Sequence, residues 1–284
     1  MEVAVTTMNG PDDPHPAVLG RALEDRGFGG WFIGEHSHIP TARRTPYPAG
    51  GEMPAPYRTM MDPFVSLAAA AVATERLHLG LGVCLVLEHH VLQLAKVAAT
   101  LDRLSNGRLV FGVGVGWNQE ELANHRPDLP WSMRYQAAEE CVAALRACWT
   151  EDEAEFHGRW FDFDAVWSDP KPARPGGPPV VLGVGGPLGA DHALRWADGW
   201  MPMAMALGNV PKRVARFREK AAALGRDIAI SMVTFGDPTL DELHGYRDLG
   251  IERVVIGAAR TGWDDPSTLM PFLDQWAAHT AELA

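Results

Sequence analysis

Apolar residues recur along this chain in two alternating rhythms. Short β-branched or apolar runs at 2–7, 28–34, 77–83, 108–115, 179–184, 199–203, 228–234 and 252–257 read as strands. Between them, apolar positions return every three or four residues, as in helices buried along one face. Residues 91–105 place Val91, Leu94, Ala98, Leu101 and Leu104 on one stripe, and residues 131–149 put Ala138, Cys141, Leu145 and Cys148 on one face. Asp62 before Pro63 predicts a helix start, as N-cap and first helical residue. Ser105-Asn106-Gly107 ends the 91–105 helix, with Gly107 suited to a left-handed position just past its end.

Strands that alternate with helices imply parallel connections. Eight such units close naturally into a (β/α)8 TIM barrel, although an open doubly wound sheet needs no particular count and competes. The expectation is an α/β chain forming one barrel domain over residues 1–284, with two insertion segments. Residues 37–61 form a long loop rich in Pro, Gly and Arg; residues 151–178 form one rich in Trp and Pro. Loops of that length in a compact domain are usually functional or disordered. Arg43, Arg44, Tyr47 and Arg58 make the first equally a lid over substrate or a solvated surface loop. Trp160, Phe161, Phe163 and Trp167 should pack the second.

Composition narrows the function. A net charge of −11, from 25 basic and 36 acidic residues, argues against a broad nucleic-acid footprint, which needs clustered Lys and Arg. No apolar run approaches the roughly 18 residues of a membrane span, and the N-terminus has no basic leader, so a cytoplasmic location is expected. Three cysteines without framework spacing read as reduced thiols, with Cys141 and Cys148 as small core residues.

A barrel carries its active site at the C-terminal ends of its strands. There the second strand ends in Gly34-Glu35-His36-Ser37-His38, the third in Gly80-Leu81-Gly82-Val83-Cys84 and the fourth in Gly112-Val113-Gly114-Val115-Gly116-Trp117. Alternate glycines leave one strand face bare, which suits a flat ring. The fifth ends in Gly183-Val184-Gly185-Gly186 before a helix, an arrangement that can hold an anion on backbone N–H groups. Neither Gly112-x-Gly114 nor Gly183-x-Gly185 completes a dinucleotide fingerprint, and no P-loop or Gly-x-Ser-x-Gly elbow is present. Glu88-His89-His90 is expected to cap the helix after it. His36 is the candidate proton donor or acceptor, since imidazole titrates near neutral pH. Glu35 is the residue that could orient it, against a structural role in the barrel wall. His38 reads as a loop residue. His36-x-His38 also looks like the metal pair of a barrel hydrolase, a competing class.

Several segments together resemble the luciferase-like monooxygenase superfamily, and within it the branch that uses coenzyme F420. They are Gly27-Phe28-Gly29-Gly30-Trp31-Phe32-Ile33-Gly34-Glu35-His36, Asp62-Pro63-Phe64-Val65 with Ala73-Thr74-Glu75-Arg76-Leu77, and Leu101-Asp102-Arg103-Leu104-Ser105-Asn106-Gly107-Arg108. Trp149-Thr150-Glu151-Asp152, Phe156-His157-Gly158 and Ala197-Asp198-Gly199-Trp200 complete the series. The resemblance implies a (β/α)8 barrel, a homodimer, and hydride transfer between F420 and a small organic substrate; an FMN-dependent monooxygenase is the alternative. It implies a cofactor ring near Gly82, Val83, Val115, Gly116 and Trp117, a phosphate on Gly183, Val184, Gly185 and Gly186, and a cis peptide at Gly82–Val83. It places His36 beside the deazaflavin. In sugar-phosphate dehydrogenases of this branch an acidic residue follows the fourth-strand glycines. Trp117 stands there instead, so that acid should be missing and the substrate should differ. A non-catalytic cofactor-binding protein is a further class the superfamily allows.

Overall fold

The computed structural model describes residues 1–236, 238–258, 262–263 and 265–284; of Gly186 and Pro187 it describes the backbone alone. All eight expected strand regions form parallel strands. They are β1 (Glu2–Thr7), β2 (Gly30–Ile33), β3 (His78–Leu81), β5 (Leu109–Gly114), β8 (Val180–Leu182), β9 (Gly199–Trp200), β10 (Ala229–Phe235) and β11 (Arg253–Gly257). Their order is β3-β2-β1-β11-β10-β9-β8-β5, and β3 pairs β5 through Leu79↔Leu109 and Gly80↔Val110, closing the sheet. Closure excludes the open doubly wound alternative: the fold is a (β/α)8 TIM barrel.

Beyond β3 the chain passes through a cis Gly82–Val83 peptide, as expected, into the short strand β4 (Cys84–Leu85). β4 pairs with the end of β5, Cys84↔Val113 and Leu85↔Gly114.

The outer helices include α1 (Pro16–Asp25), α2 (Pro63–Ala71), α3 (Val91–Leu104), α4 (Gln119–His125) and α5 (Arg134–Thr150). In the second half they include α6 (Gly186–Trp196), α7 (Ala204–Leu207), α8 (Val210–Ala223), α9 (Leu240–Asp248) and α10 (Leu269–Leu283). Asp62 caps α2 by accepting from Val65 N–H, as its position predicts. Past α3, Asn106 and Gly107 both take positive φ (54° and 80°). The α3 stripe differs from expectation at one end. Leu104 is 51% exposed, and Ala95, Ala99 and Asp102 are buried in its place. Residues 131–133 form a 3-10 turn, so α5 begins three residues later than the pattern suggested.

Most of the core lies between barrel and helices. A smaller cluster of Ala4, Phe32, Val110, Val181, Met201 and Val255 fills the barrel itself. Phe32 explains Gly80: a Cβ there would lie 2.1 Å from the Phe32 ring. The floor of the barrel is ionic. Arg253 Nε lies 2.6 Å from Glu2, and His78 Nδ1 lies 3.0 Å from the same carboxylate.

Several segments that carry the resemblance turn out to be fasteners at this lower end. The Arg108 guanidinium donates to the Ala71, Thr74 and Leu77 carbonyls and to Thr74 Oγ1. Asp198 accepts from Val180 N–H and pairs with Arg146.

The 151–178 insertion folds as an antiparallel hairpin of β6 (Ala154–His157) and β7 (Asp162–Val166). Glu140 holds it by accepting from Trp160 and Phe161 N–H. Phe161 is buried, and Trp160 and Phe163 pack against the core, but Trp167 is 77% exposed and does not pack as expected. Among the described residues no helix is long and apolar enough to cross a membrane.

Candidate active site at the barrel mouth

A cavity of about 600 Å3 opens at the C-terminal ends of the strands. His36, Gly82, Val83, Val115, Gly116, Trp117, Gly183, Val184 and Gly185 all line it. Gly186 begins α6, whose N-cap position, Gly185, makes no side-chain cap bond. Gly185, which lines the cavity, thus brings the N-terminal end of α6 to it, and a helix N-terminus favours an anion. Met8, Met60, Met201, Met203 and Phe235 make much of the remaining wall apolar.

His36 stands just past β2 with its side chain only 6% exposed. Its Nδ1 lies 2.8 and 3.0 Å from the two carboxylate oxygens of Glu121, on α4. The Trp117 indole N–H donates to Nε2 at 3.2 Å. An indole nitrogen can only donate, so Nε2 accepts; the ring is neutral, with its proton on Nδ1 and directed at the carboxylate. Tyr57 and Trp117 meet the ring edge-on, at centroid distances of 5.4 and 5.7 Å.

Glu35 does not orient His36. It accepts from Leu85 N–H (2.7 Å) and faces His89 Nε2 (2.8 Å). Burial alone would raise its pKa; the hydrogen bond and charge of His89 and the Leu85 N–H outweigh that and hold it below the ordinary carboxylate value. The same bond raises His89 despite burial. The structural role weighed for Glu35 is therefore the one it has: it ties β2 to β4. His89 is engaged there, and His90, at the N-cap of α3, makes no side-chain cap bond, so the expected capping by Glu88-His89-His90 does not occur.

A carboxylate that the sequence reading did not single out stands beside His36. Trp117 does follow the β5 glycines, and the carboxylate beside His36 comes from Glu121, four residues on. Acidic residues in a helix's first turn ordinarily read as dipole complements, so nothing in the pattern separated Glu121 from Glu120. Glu120 has that plainer task. It accepts from Thr45 Oγ1 and from Arg44 and Thr45 N–H, latching the 37–61 loop onto α4. That loop buries Tyr47 and Met53 and brings Pro48, Tyr57 and Met60 to the cavity, so it forms part of the cavity wall.

The glycines also serve the protein before any ring. A Cβ at Gly114 or at Gly183 would each lie 2.2 Å from a Val83 methyl, and one at Gly112 would lie 1.8 Å from the Leu81 carbonyl oxygen. The bare strand face is filled by Val83, which presents itself to the cavity.

Two groupings could suggest a metal. Both ring nitrogens of His36 have partners, and His38 has Ser37 and Asn124 on its two, so this pair offers no free ligand. Glu35, Cys84 and His89 bring ligand atoms within 4.8 Å of one another. Burial, and then Glu35, push the Cys84 thiol well above its ordinary value, and both Glu35 oxygens are engaged, so the trio is a closed hydrogen-bonded knot.

The model of the luciferase-like monooxygenase family matches residues 4–243. The chain belongs to that family. An uncharacterised protein of Mycobacterium tuberculosis is 35% identical over 274 residues, covering 94% of each chain. An F420-dependent hydroxymycolic acid dehydrogenase of the same organism is 31% identical over 168 residues, 59% of this chain and 46% of that one. An FMNH(2)-dependent dimethylsulfone monooxygenase of Pseudomonas putida is 32% identical over 142 residues, 50% of this chain and 39% of that one. Among solved structures, an F420-dependent secondary alcohol dehydrogenase in complex with an F420-acetone adduct shares the fold. Its TM-score is 0.70 at 17% identity, over 91% of this chain and 94% of that one. Family membership makes the chain an oxidoreductase or monooxygenase of the luciferase-like kind.

Proposed function

We propose that this luciferase-like protein transfers a hydride between coenzyme F420 and a small organic substrate at the barrel mouth. The observation that carries the reading is the His36–Glu121 pair within the cavity wall. Exchange of an alcohol for a carbonyl moves one proton with each hydride, and a neutral imidazole backed by a carboxylate is suited to take or give that proton.

The cavity fits such a cofactor: it is large, mostly apolar, floored by Gly82–Val83 backbone and ended by an uncapped helix N-terminus. Val83, Val115, Gly116 and Trp117 would hold the ring, and Gly183 to Gly186 the phosphate. Bound F420 would supply a ring carbon that accepts or donates hydride. The residues of the chain do the rest. Glu121 fixes the His36 tautomer, His36 Nε2 exchanges the Trp117 N–H for the substrate proton, and the 37–61 loop excludes water. The apolar wall favours a partly apolar substrate.

The second reading is an FMN-dependent monooxygenase, favoured by the similarity to the dimethylsulfone enzyme. Titration of the purified protein with F420 and with FMN, followed by fluorescence quenching, separates the two. Tight F420 binding with weak FMN binding is expected. The reverse moves the reading to oxygen chemistry, and binding of neither overturns both.

A further inference from the structure

The chain after β9 carries the wall of the mouth outwards. Met203 and Ala206 line the barrel cavity, and Leu207, Gly208 and Asn209, which follow directly, line a surface groove of about 530 Å3. The two hollows thus adjoin across α7, a single turn of helix. α7 also lies against the start of α6: a Cβ at Gly185 would come 2.7 Å from that of Ala206.

The rest of the groove's lining is Lys212, Arg213 and Arg216, at the start of α8, with no carboxylate among the described residues. None of these three side chains has a hydrogen bond or ion pair among the described residues. Arg213 and Arg216 also border the crevice between α6 and α8, where the carboxylate of Asp191 is already paired with Lys220. Farther along α8 the pattern is the ordinary one, with Arg218 paired to Glu252. The uncompensated cations are therefore those that face the groove. In a chain of net charge −11 they make a local positive field on an otherwise acidic molecule.

We propose that Lys212, Arg213 and Arg216 bind the oligoglutamate tail of coenzyme F420. This rests on F420 being the cofactor, with its phosphate at Gly183 to Gly186. Beyond that phosphate F420 continues as a lactyl chain bearing γ-linked glutamates, each with a free carboxylate, whereas FMN ends at its phosphate. A phosphate beside Gly185 puts the start of the tail next to Ala206, and the edge formed by Leu207 to Asn209 leads from there to the cations. Guanidinium groups match carboxylates in geometry as well as charge. The groove thus favours F420 through the part of it that FMN lacks. The three side chains stand outside the mouth cavity, so their role is cofactor affinity and choice, separate from the proton chemistry of His36.

The test titrates the purified apoprotein with two forms of F420, one carrying several glutamates and one carrying none, and follows quenching of deazaflavin fluorescence. Exposed ion pairs are individually weak and screened by salt. The long-tailed form is expected to bind wild type about tenfold more tightly in dilute buffer, and the difference should close near about 0.5 M salt. The triple variant Lys212→Gln, Arg213→Gln, Arg216→Gln should bind both forms alike, with the affinity for the tail-less form unchanged. Arg213→Lys with Arg216→Lys keeps the charges and should keep most of the preference. Equal binding of the two forms by wild type overturns the tail site and leaves F420 as the cofactor. A preference that survives the Gln triple variant overturns it too, since the tail then lies elsewhere. So does an equal loss of both forms in that variant, which marks a change in the mouth itself. Binding of neither form by wild type overturns the F420 reading, and this inference with it.

Discussion

His36 and Glu121, 85 positions apart in sequence, meet with Nδ1 2.8 Å from the nearer carboxylate oxygen. The bond determines which ring nitrogen carries the proton and leaves Nε2 to the cavity side. Glu121→Ala would strand the Nδ1–H as a buried donor, at about 1–3 kcal/mol, read as a lower unfolding midpoint in denaturant. Glu121→Gln keeps an amide oxygen for that donor and should recover most of the loss. It should still lower deazaflavin-dependent turnover about a hundredfold, because a neutral amide does not stabilise an imidazolium. Equal turnover in wild type and Glu121→Gln would remove the carboxylate from the proton chemistry.

Val83 is gripped by two glycines, and that predicts a repair. Gly114→Ala places a Cβ against a Val83 methyl and should destabilise by about 1–3 kcal/mol, the usual cost of overpacking. Adding Val83→Ala removes that methyl, and the double variant should recover in thermal unfolding. Gly112→Ala meets the Leu81 carbonyl instead, which no side-chain change moves. It should stay destabilised when combined with Val83→Ala. If Gly112→Ala is rescued equally, the contact has been misassigned.

The periodicity made the barrel legible because each strand is short, β-branched and followed by a helix with one apolar face. Even so, the closing pair, Leu79↔Leu109, was not determined by the count of eight. His36 was legible because imidazoles at a strand end are few. Glu121 and Glu88 were not, because a carboxylate's partner is set by where α4 and the 86–88 turn land, and in one dimension both look like solvated charges. Glu35 misled for the same reason: adjacent residues near a strand end point to opposite sides. The glycines were read as space for a ligand, whereas Val83 and the Leu81 carbonyl occupy it first, a contact no local pattern encodes.

The barrel floor predicts an acid limb. Burial would raise Glu2, but the hydrogen bonds from His78 and Arg253 and the Arg253 charge outweigh it and bring the pKa down to about 2 from an ordinary 4.5. The unfolded chain therefore binds this proton first as pH falls. The stabilisation is complete above 4.5 and is lost as pH falls towards 2. At neutral pH Glu2→Gln should lose roughly 2–3 kcal/mol, and the difference from wild type should narrow below pH 4 in urea unfolding. A difference that stays constant with pH would assign the loss to packing alone.

Glu88 gives the opposite sign. Burial first, then the charges of Glu121 and Glu35, hold its carboxyl up to about 9 against an ordinary 4.5, so between those values the folded chain keeps a proton that the unfolded chain has released. Stability from this group then falls as pH rises through that window, by about 3 kcal/mol on reaching pH 7. Gln at this position has no proton to lose and keeps the side chain's shape. Glu88→Gln should match wild type near pH 4.5 and unfold several degrees higher at pH 7 to 8. Relief from Glu121 should be visible too. In Glu121→Gln the Glu88 carboxyl resonance should titrate lower than in wild type while staying above 4.5, because burial, the larger cause, remains. A Glu88 resonance that already titrates at an ordinary carboxylate pH in the wild type would mean that the carboxyl is solvated, and would take away the pH dependence derived for it.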